Sequence, residues 1–477
     1  MMTSLTMFGW IPFTLLLFLV MPPKRAVVWC FFLAWLFLPM AGYKINRLPD
    51  YTKMSASSAG VLLGAVLFDQ GRLMRFRPRL IDAPILLFTV VSPLASSISN
   101  NLGVYDGLSE INGWMGSWTL PWFIGRVYFK TAEDMRLLAT AFLMGAFIYV
   151  PICLWEMRMA PVLHRMVYGF HAHSFVHAIR WGGYRPRGFM QSGLMTALFM
   201  CSGAVIGLCL WRGKVPVMIG RNLVPMALAV PFLAVVAFFC KGTGAIGLAV
   251  AVVGCLYASV VLRSRLPLIL FMCISPLYIV ARANGIWDGN NMVELVKSFS
   301  PERAASLNFR FVNENVLIDR ASQRPIFGWG GWNRSAVFNA DGSKTSVSDG
   351  LWIILYGKAG LFGMGFFMLS LVLPVLMFIW RFPARDWLKR SIAPTTGLSL
   401  MLAMYQVDCL FNGMESPLNF LIAGGLAGTL LMARQPRAAA SGQAAGARAG
   451  AGAPGKPQRA GGPRGPRASL PRPDLAT

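Results

Sequence analysis

The segment Ser346-Val-Ser-Asp-Gly-Leu-Trp-Ile-Ile-Leu-Tyr-Gly-Lys-Ala-Gly-Leu-Phe-Gly363 joins two unlike parts of the chain. Before it lies a polar stretch, residues 284–348, carrying Arg303, Arg310, Arg320, Arg324 and Arg334. After Asp349 the chain turns apolar for long enough to cross a bilayer, which takes about 20 residues as a helix. Most of the remaining sequence reads the same way. Of its 477 residues 56% are hydrophobic and only 13% charged, against about 25% charged in a soluble domain. The expected fold class is an all-α polytopic integral membrane protein.

Apolar runs fall at roughly 5–21, 26–42, 54–69, 82–98, 106–125, 137–155, 190–211, 224–240, 243–261, 266–282, 349–379, 394–411 and 415–433. They predict a bundle of about 12–13 transmembrane helices with a partly helical periplasmic loop. The run at 106–125 holds Asp106 and Glu110 and reads as partly interfacial. Residues 1–433 form the membrane domain. Residues 434–477, rich in Ala, Gly, Pro and Arg, read as a disordered basic cytoplasmic tail. The N-terminal run lacks a basic leader and a small-residue cleavage site, so it reads as a first span.

Short basic loops set the orientation. Lys24/Arg25, Arg72–Arg79, Arg126–Arg136, Arg212–Arg221, Arg263/Arg265 and Arg381–Arg390 occupy every second connection. Loop 43–53, with Lys44, Arg47 and Lys53, is the misfit. Two sizeable loops, 156–189 and 284–348, fall on the other side and are nonetheless rich in arginine. The first carries all four histidines, His164, His171, His173 and His177. Arginines that topology does not require suit a phosphate-bearing ligand. The net charge of +25 is dispersed between spans, which argues against a nucleic-acid partner. Eight scattered cysteines in apolar runs, without a CxxC spacing, predict neither a zinc site nor a disulfide framework.

Within SPERAASLNFRFVNENVLIDRASQRPIFGWG (300–330), Ser300-Pro301 is a helix start. Leu307, Phe309, Phe311, Val312 and Val316 predict an amphipathic helix over roughly 301–322, outside the bilayer. Arg303 and Arg310 share a face; Arg310 is free either to pair with Glu314 one turn on or to contact a phosphate. Gly328, Gly330 and Gly331 make a tight turn that is no Walker loop. Asp349 is a helix cap or a general base. Lys358, deep in that helix, needs a partner, for which Asp408 is a candidate. Arg185 and Arg187 before the span at 190, and Lys241 in a short turn, complete a cationic set. The glycine pairs GVLLG (60–64), GAVIG (203–207) and GGLAG (424–428) read as close helix packing.

In order, these parts resemble the O-antigen ligase and polymerase superfamily of bacterial inner-membrane glycosyltransferases, over about residues 180–433. Arg185-Pro-Arg-Gly188 is similar to the family's Arg-x-x-Gly entry to a span. Gly242-Thr-Gly-Ala245 is similar to its Ser-Arg-Gly-Ala turn, with Thr243 where the family has arginine. Arg310 through Arg324-Pro-Ile-Phe-Gly-Trp-Gly330 resembles its arginine, helix and Pro-x-x-Gly-x-Gly turn. Asp349 through Gly360 and Gly363 resembles its following helix, with Asp349 at the ligases' histidine.

The resemblance implies transfer of a glycan from an undecaprenyl-diphosphate carrier to an acceptor hydroxyl, on another lipid-linked glycan or on lipid A-core. That is cell-surface polysaccharide (lipopolysaccharide or exopolysaccharide) biosynthesis at the periplasmic face of the inner membrane, without metal or other cofactor. On this reading Asp349 and Arg310 are catalytic, and Arg185, Arg187, Lys241 and Arg324 bind the diphosphate. The competing expectation is a transporter or flippase of lipid-linked saccharides.

Overall fold

The computed structural model describes residues 2–45, 50–175, 178–180, 182–217, 225–347 and 349–432. The expected disordered tail lies outside the described residues, as do Arg47, His177 and Arg221. What is described is overwhelmingly helical. Strands are limited to two short antiparallel pairs, Gly42–Tyr43 with Tyr51–Thr52 and Ile179–Arg180 with Gly183–Tyr184.

Every apolar run of the sequence overlaps a helix. Among the described residues seven helices are long and apolar enough to cross a membrane: Met2–Val20, Leu80–Ser99, Ala132–Met159, Gly193–Arg212, Thr243–Val261, Leu266–Ala283 and Leu351–Arg381. Three shorter apolar helices, Lys53–Phe68, Met226–Phe239 and Pro417–Met432, accompany them. The chain is thus an all-α membrane protein. The run at 106–125 departs from a plain span. It is built of Val104–Trp114, one wide π turn at Met115–Thr119, and Leu120–Tyr128.

The hub is helix Ala393–Asp408, buried along its whole length. It packs against Gly193–Arg212, Leu351–Arg381, Ala132–Met159 and Thr243–Val261. A helix with no polar face belongs at the centre of such a bundle. The paired glycines are contact points, as expected. A Cβ at Gly424 would strike the Trp122 carbonyl, one at Gly64 the Phe18 ring, and one at Gly203 the Ala146 side chain. Close backbone approach compensates for the weak hydrophobic drive between helices in lipid.

Helix Leu351–Arg381 is broken at Gly360, where φ is 65° and ψ −171°. The turn Pro325–Gly330 enters the break. Trp329 and Gly330 N–H donate to the carbonyls of Gly357 and Lys358 (2.8 and 2.9 Å), while Leu361 and Phe362 N–H donate to those of Pro325 and Ile326 (2.8 and 3.1 Å). Asn100 Nδ2 donates to the Gly328 carbonyl at 2.8 Å. The groups freed by the break are therefore satisfied within the chain, as burial away from water demands.

Candidate functional site

Helix Pro301–Ser322 carries the two arginines on which the site turns, and a buried ion pair fixes it. Glu314, one of the two alternatives offered for Arg310, faces inward instead of pairing with it. It accepts from Arg282 Nε (3.2 Å) and from the Tyr278 hydroxyl (3.0 Å), both on helix Leu266–Ala283. The side chains of Arg282 and Glu314 are 1% and 9% exposed. Arg282 also donates to the carbonyls of Trp287, Asp288 and Phe311 and to Asn315 Oδ1. Burial pushes the Glu314 carboxyl up, and Arg282 with Tyr278 holds it down. Such a pair is tolerable only because its remaining donors and acceptors are occupied. Phe311, Leu317 and Ala321 pack beneath the same helix.

This anchoring turns Arg310 toward Asp349. Arg310 Nε lies 3.3 Å from Asp349 Oδ2. Asp349 is not the cap of the long helix; Gly350 holds that position, with no side-chain cap. The first N–H groups, of Leu351 and Trp352, donate instead to the carbonyls of Asn412 (3.3 Å) and Cys409 (3.1 Å). Gly350 is needed for this approach, since a Cβ there would strike the Leu410 carbonyl. Freed from capping, the Asp349 carboxylate lines a narrow crevice with Arg310, Val347, Ile353 and Phe411.

Asp408 belongs to this site and not, as expected, to Lys358. It is 3% exposed. Asn412 Nδ2 donates to its Oδ1 at 2.7 Å, while Oδ2 has no partner among the described residues. Asp408 stands one residue before Cys409, whose carbonyl accepts from Trp352 N–H at the start of the helix that follows Asp349. Lys358 pairs with Glu110 at 3.7 Å, beside a two-pronged Arg334–Asp106 bridge of 2.8 and 2.9 Å. That bridge raises the Arg334 pKa.

On the other flank of Arg310 the cations gather. Arg185 is buried, and its charge is felt by Arg180, Arg303 and Arg310. Burial first, then these three neighbours, lower its pKa to about 10, so it stays charged at neutral pH. Arg185 Nη2 donates to the Lys241 carbonyl at 2.9 Å, and Lys241 Nζ donates to the Arg180 carbonyl at 2.9 Å. Arg303 Nη1 donates to the Thr243 hydroxyl at 2.8 Å. The buried Nε atoms of Arg180 and Arg185 have no partner among the described residues. Four separate segments thus supply Arg180/Arg185, Lys241, Arg303/Arg310 and Asp349.

Two expected members are not brought there. Arg187 is buried with its guanidinium turned into its own loop, donating to the carbonyls of His173 (2.7 Å) and Ser174 (3.5 Å). Arg324 is exposed and lies over the Trp329 ring at 5.5 Å. It is 14 residues beyond Arg310, roughly 21 Å along a helix.

Glu156 supports the site from behind and was not singled out in the sequence. It is fully buried, and its carboxylate accepts the N–H groups of Arg187 and Gly188 (both 2.6 Å) and of Leu163 (3.2 Å). It therefore shapes the turn that presents Arg185. Its only signal was a lone carboxylate at the end of an apolar run. Arg180 and Arg303 were likewise visible as loop arginines but not as members of the cluster.

A larger cavity of about 770 Å³, lined by Trp211, Arg212 and Lys214, lies at the opposite end of helix Gly193–Arg212. No protein-family model matches the chain, and no curated protein matches it.

Proposed function

We propose that this chain is an integral-membrane glycosyltransferase that moves a glycan from an undecaprenyl-diphosphate carrier to an acceptor hydroxyl, in the manner of an O-antigen ligase or polysaccharide polymerase. The carrying observation is the excess of cations at one place. Arg180, Arg185, Lys241, Arg303 and Arg310 converge, two with buried Nε donors unpartnered among the described residues, against the carboxylates of Asp349 and Asp408 and the exposed Glu302, 3.9 Å from Arg180. Such a set suits a diphosphate, whose oxygens accept from several guanidinium groups at once.

In the reaction the acceptor oxygen bonds to the anomeric carbon. The bond from that carbon to the diphosphate oxygen breaks, and its electron pair leaves with the lipid diphosphate. The arginines stabilise that developing charge. Asp349 orients the acceptor hydroxyl and takes its proton. The resemblance puts an arginine where this chain has Thr243; here Arg303 brings a guanidinium to that position from the neighbouring helix. The basic-loop pattern supports an orientation with this face away from the basic, cytoplasmic side, which is the periplasm on this reading.

A transporter or flippase of lipid-linked saccharides is the second reading, and the broken helix at Gly360 favours it, because transporters bind their cargo at such breaks. Against it, the exposed backbone groups of this break are already taken by Pro325–Gly330. The test is binding of a short-chain polyprenyl diphosphate and the matching monophosphate to purified protein. The account expects preference for the diphosphate, lost in Arg185→Ala and in Arg303→Ala. Equal binding of both ligands, unchanged by either substitution, refutes it.

A further inference from the structure

Half of the apolar stripe on helix Pro301–Ser322 has no protein beneath it among the described residues. Phe311, Leu317 and Ile318 are buried, but Phe309, Val312 and Val316 face outward. Their spacing of three and four residues makes them one continuous strip on the helix surface. The preceding helix, Asn290–Phe299, has no buried residue at all. It turns Met292, Leu295 and Phe299 outward with the same spacing, Leu295 being 62% and Phe299 83% exposed. Water-soluble surfaces do not normally carry contiguous apolar area of this kind.

What covers it is indicated by the element that leads into it. Helix Leu266–Ala283 qualifies as a membrane span. It exposes Leu266, Leu270, Ile274, Leu277 and Val280 as a single stripe, which in a membrane meets acyl chains. That stripe ends one short turn before Ile286, itself outward-facing, and the exposed strip of Asn290–Phe299 follows directly. We infer that the helix pair Asn290–Phe299 and Pro301–Ser322 rests on the lipid surface, with Met292, Leu295, Phe299, Phe309 and Val312 dipping into the headgroup–acyl boundary of the membrane.

The charge pattern fits an interfacial helix pair. Glu294 and Lys297 pair with each other at 3.7 Å and are largely exposed. Arg303 and Arg310 point to the protein side. Helices that lie in the interface carry this division between an apolar and a charged face. The consequence is positional. With its outer side in the headgroup layer, the helix holds Arg303 and Arg310 at the depth where lipid phosphates lie. A ligand anchored in the bilayer then reaches them laterally, without leaving the membrane. The inference stands on exposure and continuity with the span, and does not depend on the reaction proposed above.

The test uses full-length protein in liposomes, with Cys255→Ala and Cys273→Ala removing the two native thiols that are not fully buried. Nitroxide labels are placed at Leu295→Cys, Phe299→Cys and Phe309→Cys. Ala340→Cys and Lys344→Cys serve as aqueous references and Leu270→Cys as the lipid reference. All six positions are at the surface or partly exposed, so folding is retained. The ratio of accessibility to oxygen over a water-soluble nickel chelate is read at each. The expected result is a ratio at 295, 299 and 309 that approaches the Leu270 value, and a ratio at 340 matching Lys344. Ratios at 295, 299 and 309 equal to that of Lys344 overturn the inference. So does loss of access to both reagents at those positions, which indicates cover by a second copy of the chain.

Discussion

Arg310 Nε stands 3.3 Å from Asp349 Oδ2, and the two residues come from elements separated by a break-filling turn and a polar loop. Neither is spent on local structure. Asp349 does not cap its helix, and Arg310 does not pair with Glu314 along its own. The pair is the hinge between the cationic flank and the two carboxylates.

Substitution of either partner therefore separates charge stabilisation from proton transfer. Arg310→Ala should lower glycan transfer by about 10²–10³. Arg310→Lys should recover part of the loss, since it keeps the charge but not the planar fork. Asp349→Asn should lower kcat by about 10²–10⁴ while donor affinity holds. Steady-state transfer assays with donor binding measured separately check this. Wild-type rates in both Arg310→Ala and Asp349→Asn would place the chemistry elsewhere.

The break at Gly360 gives a stability prediction. Its φ of 65° disfavours any side chain, and a Cβ would strike the Ile326 carbonyl. Gly360→Ala should cost about 2–4 kcal/mol. The midpoint of thermal unfolding in detergent should fall accordingly, while Gly365→Ala, with open space around it, should not move it. An unchanged midpoint in Gly360→Ala would show that Pro325–Gly330 does not occupy the break.

Much of this was legible in the sequence, and the divide is physical. Helix positions follow from hydropathy, because lipid leaves the backbone few alternatives. The helix at 301–322 also followed, from its Ser-Pro start and apolar spacing. Pairings did not. Glu314 chose Arg282 over Arg310, and Lys358 chose Glu110 over Asp408. Those choices depend on how helices rotate in the bundle, which apolar stripes of nearly uniform hydropathy do not specify. The break at Gly360 was hidden for a related reason: YGKAGLFG lies inside a continuous apolar run, and Gly360 was read only as part of the helix that follows Asp349.

His164 makes the loop at 156–189 sensitive to acid. The imidazole accepts from Met40 N–H at Nε2 (3.2 Å) and donates from Nδ1 to the Phe170 carbonyl (2.8 Å), so the neutral form is the one that fits. Burial lowers its pKa below 6.5. A group depressed on folding contributes stability above its unfolded pKa, and that contribution is lost as pH falls through the folded value. The unfolding midpoint should drop between pH 7.5 and pH 5. His164→Gln, which can accept and donate at the same places, should remove this part of the pH dependence. An identical pH profile in wild type and variant would count against the assigned tautomer.

The central claim is that glycan transfer takes place at the arginine cluster, with lipid diphosphate as leaving group. Reconstitution of the purified chain in liposomes with a lipid-diphosphate glycan and candidate acceptors tests it most directly, scoring transferred glycan and free lipid diphosphate together. The account predicts that both appear in equal amounts with one acceptor class, and that both fall together in Arg310→Ala. Movement of intact donor across the bilayer, with no lipid diphosphate released in the presence of any acceptor, would contradict it.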